Sequence, residues 1–274
     1  GNFYDPFNGK RDIEIGEIKF IGDPDTRIKE DYLRILRYIR FFINYSKVPH
    51  KKNIKGIIKK NLNGISNISS ERLLDEFKKI FQSDNFLKLF KDNINLEIFV
   101  LIFPQFKNYE LFKKLNSFSE KKIKEIDYVL FISLMITDNT DNIDYFFYKF
   151  NISKLNKKRI LFLKEFNNKQ INNKTFSKKN LWKIIYYYGN QSLNDLLYYE
   201  IFKSKKPNKN FNNLLNFFKD KETPIFPIKA KDLLEKYDIF EGKMLGIKLK
   251  KIEEKWIDND FKISDSEVSQ VMRG

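Results

Sequence analysis

"RIKEDYLRILRYIRFF", Arg27–Phe42, carries two patterns at once. Ile28, Leu33, Leu36, Ile39 and Ile43 keep helical spacing, which predicts an amphipathic helix with one apolar stripe. Asp31, Arg34 and Arg37 recur off that stripe at every third residue. Side chains at i and i+3 share a helix face, so the three are expected to project together. The stripe explains itself as core. The polar ladder does not, and it is open to two readings. The simpler is a solvated Asp31–Arg34 ion pair, worth about 0.2–0.5 kcal/mol.

The other reading is recognition of a nucleobase. Cytosine presents an amino donor beside a ring-nitrogen acceptor on its pairing edge, and adenine presents the same order. A carboxylate accepts only and a guanidinium donates only. A rigidly held Asp and Arg could therefore favour C and A over U and G, whose edges reverse that order. Reading unstacked bases on this edge is an established protein strategy.

Outward from this stretch the chain reads as helices almost throughout. Ser69 in "ISSERLLDEFKKIF" is an N-cap candidate, with Glu71 in the first turn and Leu73, Phe77, Ile80 and Phe81 as the apolar face. Further helices are expected near 83–93, 95–103, 108–116, 119–137, 141–150, 153–166, 177–187 and 192–203. Asn- and Lys-rich runs at 167–174 and 204–213 read as loops. From Thr223 a proline-bracketed entry leads to a short helix, a Gly242/Gly246 turn and a longer helix to Trp256. Residues 1–22 differ. Turn signals at Asp5-Pro6, Asn8-Gly9 and Asp23-Pro24 bracket "IEIGEIKFIG", whose alternation predicts one or two short strands, the remnant of a larger sheet.

Composition narrows the function classes. The chain has 274 residues, room for one to three domains. Its 42% hydrophobic content is ample for a core and argues against wholesale disorder. Lys and Arg exceed Asp and Glu by 52 to 36, and the resulting +16 favours a polyanionic partner. Lys, Asn, Ile, Phe and Tyr all have AT-rich codons, so genomic drift is a second source of that charge. There is no cysteine, which excludes disulfides and thiolate chemistry and suits a cytoplasmic protein. No secretory leader is visible, and the most apolar run, Tyr128–Ile136, is too short to span a bilayer, so no membrane partner is expected. His50 is the single histidine and reads as a surface loop residue in "KVPHKKN"; a histidine-based zinc site or catalytic triad is not available.

The stretch "YDPFNGKRDIEIGEIKFIGDPDTRIKEDYLRILRYIRF", Tyr4–Phe41, strongly resembles the class II tRNA nucleotidyltransferase (CCA-adding enzyme) and bacterial poly(A) polymerase family. "DPFNG" resembles the family's flexible loop motif, "EDYLRILR" its nucleotide-selecting motif and "ISSERLLDEFKKI" the motif that braces the neck. "TPIFPIKAKDLL" and "GKMLGIKLKKIEEKWI" are similar to the carboxy-terminal segment of proteobacterial members. Residues 90–215 match mainly in helical character.

The resemblance implies a mainly α fold: the β remnant of a head domain at 1–26, a nucleotide-selecting neck at 27–92, a helical body at 93–175 and an RNA-binding tail at 176–274. It implies that Asp31 and Arg34 form an amino-acid template for CTP or ATP, that Arg37 helps hold the nucleotide, that Arg27 belongs to the same nucleotide-binding set, and that Arg27 and Glu30 position the helix. Asp5 and Gly9 match the flexible loop motif, and Glu71 and Arg72 match the bracing residues of the neck. Arg40 reads as a surface arginine.

The family's chemistry is phosphoryl transfer at a DxD carboxylate pair that holds Mg²⁺ in a head domain. No such pair is recognisable. "DPD" at Asp23–Asp25 reads as the turn before the neck, and "DND" at Asp258–Asp260 follows a surface helix. No catalytic or metal-binding residue is therefore expected in this chain, and Mg²⁺ would enter only with a head domain, removed or encoded separately. The expected parent activity is CCA addition to tRNA, with tRNA as partner. Two alternatives stay open: a poly(A) polymerase of the same family, and a non-catalytic RNA-binding protein derived from it.

Overall fold

The computed structural model describes residues 4–138, 140–168, 175–207, 209–237 and 240–273. Among them are seventeen α-helices and no strand. The chain divides into two compact units: Gly1–Lys169 with Tyr198–Asn208, and Gln170–Leu197 with Lys209–Gly274.

The first unit begins with α1 (Gly9–Ile15), α2 (Pro24–Glu30), α3 (Arg34–Tyr45) and α4 (Ile54–Asn61). A 3-10 turn, Leu62–Asn67, leads into α5 (Ser70–Phe81), then α6 (Lys88–Lys91) and α7 (Asn93–Ile102). After these come α8 (Tyr109–Lys113), α9 (Ser117–Lys122), α10 (Tyr128–Ile136), α11 (Asn142–Lys149) and α12 (Lys154–Asn168). Helix α2 packs on α4, α3 on α5 and α10 on α12.

Phenylalanine builds this core. Phe131, on the mostly apolar α10, is fully buried, with ring centroids of Phe112, Phe86, Phe81 and Phe77 at 4.8, 5.0, 5.2 and 5.6 Å. Offset and edge-on pairs at such distances add to the gain from area burial. Asp127 starts α10 by accepting the Leu130 N–H, and the Arg159 guanidinium of α12 grips the same carboxylate at 2.7 and 3.1 Å.

The second unit holds most of α13 (Lys178–Lys203), then α14 (Lys209–Phe218), α15 (Ala230–Tyr237), α16 (Lys243–Asp258) and α17 (Asp265–Arg273). Leu233, Leu245, Ile252, Val268 and Met272 form one buried cluster there. Trp256 stacks its edge against Tyr186 and Phe261 nearby.

Several expectations change. The predicted strands at "IEIGEIKFIG" are absent: Gly9–Ile15 is helical and Glu17–Phe20 has no regular structure. The Asp5 carboxylate accepts the Gly9 and Lys10 N–H groups at 2.7 and 2.9 Å, which starts a helix, and left-handed Asn8 and Gly16 bracket it. No neighbouring strand among the described residues offers a ladder to compete. The helix expected over 119–137 is interrupted, with an extended Ile126 and Asp127 acting as N-cap to α10. Of 83–93, only Lys88–Lys91 is an α-helix before Asp92 caps α7. The expected helices 177–187 and 192–203 run into one another across Gly189, whose φ is 82°. The run 204–213 is partly helical, because the apolar face of α14 buries Leu215 and Phe218 despite its asparagines. The loop expected at 167–174 falls mostly outside the described residues. Helices α4 and α17 lie outside the helical segments expected from the sequence.

Candidate functional site

The opening stretch is two helices, not one. Asp31 is extended, with φ −156° and ψ 103°, and ends α2. Its side chain accepts the Leu33 N–H at 3.2 Å while its carbonyl accepts the Arg34 N–H at 3.0 Å. Aspartate competes in this local way with continued helix. Helix α3 then buries Ile35, Leu36, Tyr38, Ile39 and Ile43, which leaves Arg34, Arg37 and Arg40 off the apolar side.

Three carboxylates interleave with five guanidiniums around this joint. Glu30 Oε2 accepts from Arg34 Nη1 at 2.6 Å and from Arg27 Nη1 at 2.5 Å; Arg34 also donates to the Arg27 carbonyl at 2.7 Å. The Arg34 hydrogen bond, and after it that of Arg27, holds the Glu30 carboxyl below its usual range. Asp31 pairs with a different set. Arg72 Nη2 lies 3.1 Å from both its oxygens, and Arg37 Nη1 lies 3.7 Å from Oδ2. Asp31 and Arg34 thus have separate anchors, and the simple ion pair between them is not what the structure contains. Both side chains stay partly open, at 22% and 26% exposure. Asp31 Oδ2 keeps acceptor capacity, and Arg34 keeps Nε and Nη2 donors.

Glu76 is the third carboxylate. Its side chain is only 1% exposed, and it accepts from Arg40 Nε at 2.5 Å, with Arg37 Nε at 4.0 Å. Arg40 is therefore not a free surface arginine: the buried carboxylate draws it in. A glutamate on the same face as Leu73, Phe77 and Ile80 was the sequence signal for a buried partner. The predicted N-cap Ser69 accepts the Arg72 N–H, and Glu71 lies exposed in the first turn of α5, at the positive end of its dipole. Asp5 and Gly9 are joined by the hydrogen bond that starts α1.

His50 is also displaced from its expected surface position. Its side chain is 4% exposed, its ring stacks on Phe42 at 3.5 Å, Nδ1 meets the Tyr38 hydroxyl at 2.7 Å and Nε2 meets Asp92 Oδ1 at 3.3 Å. A short, polar loop gave no sign of this, because its partners come from α3 and the α7 cap.

Tyr32, between Asp31 and Leu33, lies against Gly64 so closely that a Cβ there would overlap the ring. Gly64→Ala is accordingly expected to cost about 1–3 kcal/mol by overpacking. Urea denaturation measures this, and the loss should largely disappear in a Tyr32→Ala background. An unchanged midpoint for Gly64→Ala would mean that Tyr32 is not wedged there.

Among the described residues no group of three or more His, Asp or Glu side chains is placed to share an ion. Asp23 caps α2 through Thr26, and Asp25 is tied to Lys29 and Asn61, which pull its carboxyl down to about 2. Asp258 is paired with Lys183 at 2.7 Å. These carboxylates serve helix ends and lysines, and they do not fit a catalytic Mg²⁺.

A family model described as "probable RNA and SrmB-binding site of polymerase A" matches residues 51–110. The mitochondrial CCA tRNA nucleotidyltransferase 1 of Mus musculus is 28% identical over 98% of this chain and 61% of its own length. Poly(A) polymerase I of Haemophilus influenzae is 33% identical over 43% of this chain and 26% of its own length. Among solved structures, the Bacillus stearothermophilus CCA-adding enzyme in complex with CTP superposes with a TM-score of 0.66 at 14% identity, covering 98% of this chain and 68% of that one. The Thermotoga maritima CCA-adding enzyme complexed with tRNA gives 0.61 at 18% identity, over 98% and 67%. The chain spans about three fifths of the length of the mouse and human relatives, 61% in each case. No helix among the described residues is long and apolar enough to cross a membrane. The chain is thus similar in sequence to CCA tRNA nucleotidyltransferases and to a poly(A) polymerase, and it shares the helical fold of the CCA-adding enzymes along nearly its whole length.

Proposed function

We propose that this chain is the base-selecting and RNA-gripping part of a template-independent nucleotidyltransferase that adds CCA to tRNA 3′ ends. The observation that carries the reading is the α2–α3 joint, where Asp31 and Arg34 stand partly open on separate anchors. In this account Asp31 accepts the amino group of cytosine or adenine. Arg34 donates to the neighbouring ring nitrogen, and Arg37 helps hold the nucleotide. Glu30 and Arg27 fix Arg34; Arg72 fixes Asp31. CTP and ATP are the substrates, and residues 27–92, 93–175 and 176–274 act as neck, body and RNA-binding tail after a head-derived start at 1–26. A cytoplasmic location suits the cysteine-free composition.

Phosphoryl transfer by such enzymes uses Mg²⁺ on paired carboxylates. Since the described residues do not fit that ion, the chemical step is assigned to a separate catalytic domain. This chain alone should therefore add no nucleotide to tRNA lacking CCA when supplied with Mg²⁺, CTP and ATP. Incorporation that an Asp or Glu substitution within the chain abolishes would mean the active site had been misplaced.

The +16 charge is expected to serve the RNA backbone. Binding of tRNA should then fall steeply with salt, through counterion release, and depend little on sequence. Binding no tighter than to a neutral polymer at low salt would leave the charge to compositional drift. The second reading, a poly(A) polymerase, is favoured by the match to the Haemophilus influenzae enzyme. A third, an RNA-binding protein without enzymatic role, requires that the chain never meets a catalytic domain.

A further inference from the structure

Within the first unit, the 3-10 turn Leu62–Asn67, the start of α5, the end of α7 and helix α11 enclose an open groove of about 750 Å³. Leu62, Ile65, Leu73 and Ile102 give it an apolar floor. Helix α11 supplies the lip. It buries Ile143 and Phe146 in the core and turns Tyr145 and Tyr148 outward, 56% and 88% exposed. Two rings at i and i+3 stand on one helix face. Neither is needed for the core, and rings so open to water contribute little to folding.

Beside them Lys149 is half-buried. Among the described residues no carboxylate lies within ion-pair distance of it, and its recorded neighbour is the Phe150 ring, with the centroid 5.5 Å from Nζ. Burial pushes its amine down. No acidic side chain lines the groove, while Asn63, Ser66 and Ser70 add polar groups to it. An apolar protein segment would cover the floor but leave the Lys149 ammonium without a counter-charge. A nucleic acid strand brings both flat π-faces and anions, which is the usual composition of a single-strand binding surface.

We propose that this groove binds single-stranded RNA, with bases stacked on Tyr145 and Tyr148 and a backbone phosphate held by Lys149. The proposal rests on the RNA-handling reading above and extends it. The stretch 51–110 supplies most of the floor, whereas the stacking rings and the cation come from α11, outside it.

The test uses the full chain with two probes, a fluorescein-labelled hexa-adenylate and a tRNA lacking CCA. Tyr145→Ala with Tyr148→Ala should weaken hexamer binding roughly tenfold or more, since each base–aromatic stack lost has that order of effect. Tyr145→Phe with Tyr148→Phe should bind as the parent chain does. Lys149→Gln should flatten the slope of log K against log salt by about 0.7, the value for one single-strand phosphate contact. Ultraviolet cross-linking followed by peptide mapping should place a base on Tyr145 or Tyr148. Both positions are exposed, and unchanged far-ultraviolet circular dichroism confirms folding of the variants. Parent chain that binds tRNA and hexamer, with no response to the alanine pair, would overturn this proposal alone; so would binding of tRNA with none of the hexamer. Failure of the parent chain to bind either RNA at low salt would overturn the RNA reading and this proposal with it.

Discussion

Phe131→Ala should lower the free energy of unfolding by roughly 3–5 kcal/mol. The ring sits at 0% exposure in the middle of α10, and its neighbours come from α5, α8 and the segment preceding α6. Those elements are separate in sequence, so no single local shift can refill the space. Close-packed interiors relax only partly around a deleted side chain. Phe131→Leu keeps much of the volume and should lose less. The midpoint of urea denaturation at constant m-value reads the effect. A shift for Phe131→Ala worth less than about 1 kcal/mol would mean that the aromatic cluster is not the centre of this core.

Asp31→Asn should loosen nucleotide choice. A carboxylate only accepts, so it meets the amino group of cytosine or adenine and faces the uracil O4 or guanine O6 as a second acceptor. An amide both donates and accepts. In an enzyme made by joining this chain to the catalytic domain of a CCA-adding relative, the ratio of kcat/KM for CTP over UTP should fall about ten- to a hundredfold, since one bidentate base contact is worth about 1–3 kcal/mol. Arg34→Ala should reduce use of CTP and ATP together, because it removes the donor to both ring nitrogens. A purely structural aspartate predicts a different pattern. Weakening its hold on Arg72 and Arg37 would then depress all four nucleotides alike and leave the CTP/UTP ratio unchanged.

The helical class was legible from the 3.6-residue periodicity of Ile28 to Ile43 and from the apolar faces of α5 and α16, because amphipathic burial is a local property of sequence. Arg27, Asp31, Arg34 and Arg37, the four residues expected to bind nucleotide, lie around one joint, but their partners were not legible. The helix break at Asp31 depends on its own side chain and on Tyr32 fitting a space that Gly64 leaves open. The anchors Arg72 and Glu76 arrive from α5, 41 residues from Asp31 and 36 from Arg40, at separations that no local spacing rule reaches. The expected strands failed for a related reason. A strand needs a neighbour, and alternation in "IEIGEIKFIG" carried no information about whether one exists. Asp5 capping, an interaction over four and five residues, decided the matter instead. His50 departs from its expected surface position because its burial is set by Phe42, Tyr38 and Asp92, not by the polar loop that contains it.

The most direct test of the account is the product made when this chain, joined to a catalytic domain from a CCA-adding relative, is given all four nucleotides with tRNA lacking CCA and, separately, with oligo(A). The account predicts incorporation of C and A only, a CCA end on the tRNA, and little extension of oligo(A). Long adenylate tails on both RNAs would move the chain to the poly(A) polymerase reading. Indiscriminate addition of U and G alongside C and A would contradict base selection at Asp31 and Arg34 altogether.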